Sequence, residues 1–88
     1  MRWQDLAISE DLLDKSQADL ELRMRMDAIE RERYRLGMGS ISAMIQKETD
    51  VIDARIRMLE AQVRYEVALA TYWYLKGELM SRAGIVVN

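Results

Sequence analysis

The side chains of this chain that could do chemistry are its carboxylates and arginines, its methionines and one aromatic triplet. Glu30-Arg31-Glu32-Arg33 and the pair Asp50 and Asp53 gather acids closely enough for general acid-base work. Their spacing is also the one at which carboxylates pair with arginine along a helix, and a solvated, salt-bridged face is the better reading. With no histidine and no cysteine, the usual zinc sets and the Glu-x-x-His ligands of a di-metal bundle are excluded. Gly37-Met38-Gly39 precedes no Lys-Ser/Thr and follows no strand, so it is no phosphate loop. Met24 and Met26 face different sides of a helix while Met44 and Met58 follow one seam, which suits adaptable packing rather than a copper site. Tyr72-Trp73-Tyr74 places Tyr72 and Trp73 one in each of two packing stripes. No catalytic, cofactor-binding or metal-binding residue emerges, and the chain reads as a non-enzyme with no cofactor.

Totals narrow the remaining classes. An 88-residue chain is one domain at most and seldom buries a comfortable core without a further device. No disulfide can supply it, which leaves oligomerisation or a larger parent chain. Thirteen Lys and Arg stand against 15 Asp and Glu, a net charge of −2, which offers no long-range attraction to nucleic acid. Met1-Arg2-Trp3-Gln4-Asp5 lacks the apolar core of a signal peptide, and no apolar run approaches the ~20 residues of a membrane span. As written the chain is expected neither to export itself nor to cross a membrane, and to stay cytoplasmic if expressed in this form.

The elements that must position any site are two helices about one turn. The chain has four glycines and no proline, and Gly37 and Gly39 sit together in Arg35-Leu36-Gly37-Met38-Gly39-Ser40. Glycine takes the positive φ that ends a helix, and Ser40 offers an oxygen to the free N–H groups of the next one. The reading is a helix over about residues 3–36, a turn at 37–39, a helix over about 40–82 and a tail at 83–88. Gly84 is a candidate C-terminal cap, and Ile85-Val86-Val87-Asn88 reads as a frayed tail.

Both helices carry two apolar stripes. In the first, Leu6, Leu13, Leu20 and Tyr34 form a column broken by Asp27, flanked by Trp3 and Met24. Ile8, Leu22, Ile29 and Leu36, broken by Lys15 and flanked by Leu12 and Met26, lie roughly opposite. In the second, Ile45, Ile52, Leu59, Trp73 and Met80, broken by Glu66 and flanked by Ile56, Val63 and Ala70, oppose the unbroken Met44, Val51, Met58, Tyr65, Tyr72 and Leu79, with Ala54, Ala61, Ala68 and Leu75. A helix on an ordinary globular core needs one such stripe. Two stripes with polar strips between them describe a helix with a neighbour on each side and water in front and behind, as for a stave of an α-helical barrel. The sustained seven-residue repeat favours coiled-coil contacts. The fold class is all-α, an antiparallel two-helix coiled-coil hairpin.

The run Arg33-Tyr34-Arg35-Leu36-Gly37-Met38-Gly39-Ser40, followed by Met44-Ile45, Leu59-Glu60-Ala61-Gln62, Tyr65 and Leu79…Ala83-Gly84, resembles the second periplasmic hairpin of TolC-type outer-membrane efflux proteins. The likeness spans about residues 20–84. It implies a trimeric export duct in the periplasm and outer membrane, partnered by a periplasmic adaptor protein and an inner-membrane pump. Leu36, Gly37 and Ser40 match the tip that meets the adaptor, with Met38 inside the same turn. Tyr34 matches an aromatic position at the periplasmic entrance. Where some members carry a basic and two acidic gate residues, this chain has Gly39, Ala43 and Gln46, so the charged gate does not carry over. The other hairpin, the transmembrane strands and the export signal of such proteins are not found in this sequence, which is expected to be a piece of one or a small free-standing relative. The expected function is that of a structural segment of the duct with a partner-docking tip. The alternative is a free-standing, self-associating coiled-coil module.

Overall fold

The computed structural model describes residues 3–82 and 84. It is a helical hairpin of α1, Trp3–Arg35, and α2, Ile41–Arg82. At 1.5 Å per residue, 33 and 42 residues make rods of about 50 and 63 Å, and the molecule measures 71 × 21 × 13 Å. Neither rod contains proline, and the long runs of Leu, Met, Glu, Arg and Ala favour the helix. Leu36 and Ser40, expected inside the helices, are instead the residues that flank them. Gly84 has φ 80° and donates its N–H to the Ser81 carbonyl at 3.1 Å, as a helix-ending glycine does. Ala83 and the tail from 85 onward lie outside the described residues.

The helices meet along one of the two stripes on each. On α2 this is the column of Met44, Val51, Met58, Tyr65 and Tyr72 with Ala54, Ala61 and Ala68 beside it. The three alanines are 1%, 4% and 1% exposed. On α1 the column of Leu6, Leu13 and Leu20 takes part, Leu20 being buried. Its partner column is not that of Met24. Met24 is exposed, and buried Ser9 and half-buried Ser16 take the place instead.

Each serine hydroxyl donates to the carbonyl four residues back, Ser9 to Asp5 and Ser16 to Leu12, both at 2.8 Å. A satisfied hydroxyl costs little to bury, so these serines behave in the seam as small residues. Two cross-helix ion pairs fix the antiparallel register, Arg31 to Glu48 at 3.1 Å and Arg57 to Asp19 at 3.6 Å. Ser16 and Ala61 line one shallow groove, and one heptad further along this register Ser9 stands level with Ala68. Small residues thus face small residues. An alanine buries one methyl, worth about 0.8 kcal/mol on the methylene scale, so the seam holds by close approach along its length rather than by any single side chain.

Towards the turn the α1 side of the seam becomes charged, with Arg23, Asp27 and Glu30 half-buried. Asp27, the break in the leucine column, is held by Arg31 Nε at 2.9 Å through Oδ2. Its Oδ1 is enclosed and accepts no hydrogen bond among the described residues.

Candidate functional site

Two surfaces of the hairpin are free to meet something else, its tip and its outer stripes. The tip is a compact double cap. The Met38 N–H donates to the Arg33 carbonyl at 2.8 Å and the Gly37 N–H to the Tyr34 carbonyl at 3.0 Å. This is the six-to-one and five-to-two pattern that closes a helix on a left-handed residue, and Gly37 supplies that residue with φ 78°. Ser40 then caps α2, its Oγ accepting from the Ala43 N–H at 3.1 Å and its carbonyl accepting from Met44.

The five residues singled out at the tip therefore have different roles. Gly37 is required for its φ, and no neighbour crowds the space a Cβ would occupy. Ser40 has its oxygen engaged in capping. Leu36 and Met38 point outward, more than half exposed, and Ile41, which the sequence did not single out, joins them. Tyr34 ends the leucine column just before the turn and is exposed. Leu36, Met38 and Ile41 present an apolar knob at one end of a long rod. The turn offers no nucleophile or acid-base pair among the described residues, and no three metal-ligating side chains are gathered there. Among the described residues no helix is long and apolar enough to cross a membrane.

The close backbone approach at the turn belongs to Gly39. A Cβ there would stand 3.0 Å from Glu30 Oε1 and 3.2 Å from the Tyr34 nitrogen. A glycine two residues after another looks redundant in a sequence, because only its packing against α1 distinguishes it.

The outer stripes run the length of both helices. On α2, Ile45, Ile52, Ile56, Leu59, Val63 and Trp73 are each between 50% and 60% exposed. Ile56, Leu59 and Val63 form an open apolar shelf with the Glu60 stem. Lys76 Nζ lies 4.8 Å over the Trp73 ring, and Tyr72 meets the same ring edge-on. On α1, Ile8, Leu22 and Ile29 are exposed in the same way.

The charged strips between the stripes are tied by ion pairs within each helix, Lys15 to Asp11, Arg35 to Glu32 and Arg82 to Glu78 among them. Such exposed pairs contribute little stability, and they keep these faces wet. The Arg35 guanidinium donates to both Glu32 oxygens and holds that carboxyl below the ordinary value of 4.5. Because the folded value is the lower one, the pair's small contribution is complete at neutral pH and fades as pH falls through the acid range. A carbon-detected NMR titration should place the Glu32 midpoint below that of an unpaired glutamate in this chain, and Arg35→Gln should return it upward.

Comparison with protein-family models, with curated proteins and with solved structures finds no match.

Proposed function

We propose that this hairpin is a non-catalytic structural stave of a TolC-type export duct, joining neighbouring helices along its outer stripes and docking a periplasmic adaptor with its tip. The observation that carries the reading is the second apolar stripe of α2, left uncovered along four heptads opposite the seam. Even with Glu66 interrupting the stripe, monomeric proteins seldom expose apolar surface to that extent. With a stripe also open on α1, each helix keeps one further apolar flank for a neighbour and polar strips for water. In this reading the partners are other copies of the hairpin-bearing chain, as a trimer in the full assembly, with the adaptor and an inner-membrane pump beyond the tip. The setting is the periplasm and outer membrane. The duct, its partners and its location rest on the sequence resemblance.

The test of docking uses the full-length parent. Gly37→Val forces an L-residue into the left-handed region at a cost of about 1–2 kcal/mol, and Leu36→Asp puts a charge on the apolar knob. Both should leave helix content and assembly nearly intact, because the long seams lie elsewhere, while abolishing adaptor crosslinking and efflux. Parental efflux in both variants would reduce the tip to a turn and remove the docking role. An adaptor and pump encoded beside the parent gene would favour the duct over a free-standing module, and their absence would favour the module.

A further inference from the structure

We infer that Glu30 and Arg33 are positioning residues that turn a two-glycine turn into a rigid knob, holding Leu36, Met38 and Ile41 in one fixed presentation. Glu30 is an acid with a side chain only 15% exposed, yet among the described residues its ion pair is a long one, 3.7 Å from Oε2 to Arg33 Nε. Its other oxygen lies against the backbone of the turn, 3.0 Å from the place a Gly39 Cβ would take. Gly39 immediately precedes the Ser40 cap, so this carboxylate packs against the residue that leads into α2.

Arg33 acts from the other side. Its carbonyl accepts the N–H groups of both Met38 and Gly39, at 2.8 and 3.2 Å, and its Nη2 donates to the Met38 carbonyl at 3.4 Å. Glu30, Arg33 and the peptide units of residues 38–39 thus form one connected set spanning the end of α1 and the start of α2. Gly39 is the residue that lets it close. A turn containing two glycines carries a large conformational entropy when free, and ordering it before binding lowers the cost of docking.

The consequence for docking rests on the function proposed above, but the order of the tip does not, and it is measured on the 88-residue chain without a partner. In amide exchange followed by NMR, Glu30→Gln keeps the shape of the side chain and removes its charge. Exchange at Met38, Gly39 and Ala43 should quicken about tenfold or more while Ala54, Ala61 and Ala68 keep their rates. A second comparison is independent of that charge. Gly39→Ala should loosen the same amides, and it should do so less in a Glu30→Ala background, where one of the crowding atoms is gone. Unchanged tip exchange in Glu30→Gln together with additive effects of Gly39→Ala and Glu30→Ala would overturn the inference. A rigid tip that fails to crosslink an adaptor would instead overturn the docking function alone.

Discussion

A chain carrying Ile52→Asp and Leu59→Asp should sediment as a monomer under conditions in which the parent sequence self-associates. Both side chains sit at the middle of the α2 outer stripe, 55% and 50% exposed, and neither is among the buried seam residues. Covering an aliphatic side chain of this size is worth about 1.5–3 kcal/mol, and each 1.4 kcal/mol is tenfold in Kd. Two such losses, with charges placed in an apolar contact, should weaken association by about a hundredfold or more. Helix content at fixed, low concentration should change little, because aspartate on an exposed helical position costs only tenths of a kcal/mol. Sedimentation equilibrium of the two chains across the micromolar range is the measurement. A parent chain that is already a clean monomer there would remove the assembly role of the stripe.

Ala61→Leu should destabilise the hairpin, although it raises both apolarity and side-chain volume. Ala61 is buried and stands level with Ser16, where small residues meet on both sides. Three added carbons must be taken up by the seam or turned out into the open groove lined by Ser16 and Ala61, and overpacking of this kind costs about 1–3 kcal/mol. That is a large share of the stability of a chain with so little core. The melting temperature followed by circular dichroism should fall by several degrees or more. Val63→Leu, a smaller gain in apolarity but on the outer face, should leave it within experimental scatter. Ala61→Ser should be far milder than Ala61→Leu, because Ser9 and Ser16 show that this seam accepts a hydroxyl bonded to the preceding turn. Equal melting temperatures for Ala61→Leu and Val63→Leu would show that the helices do not pack as closely as the alanine column indicates.

The turn was legible because it is local. Gly37 and Ser40 announce a helix end and a helix start through backbone chemistry that acts within a few residues, and the structure uses both for those purposes. Glu30 and Gly39 were not legible. Their relation is a contact between the body of α1 and the start of α2, and neither residue has a local pattern that marks it. Ser9 and Ser16 escaped for a related reason. A search for apolar columns passes over serine, whereas the seam selects small residues whatever their polarity, provided the hydroxyl is satisfied.

By itself the sequence determined that the chain forms two long helices about Gly37, with a seven-residue repeat of two stripes on each. Only the tertiary structure decided which stripe faces inward. Periodicity places residues around a helix axis but says nothing of how near a second axis can come. That distance is set by the bulk of the side chains that meet, and the alanines of α2 with the serines of α1 permit the closest approach. On α2 the column richest in Ile, Leu and Trp was left on the outside, where its bulk is available to another surface.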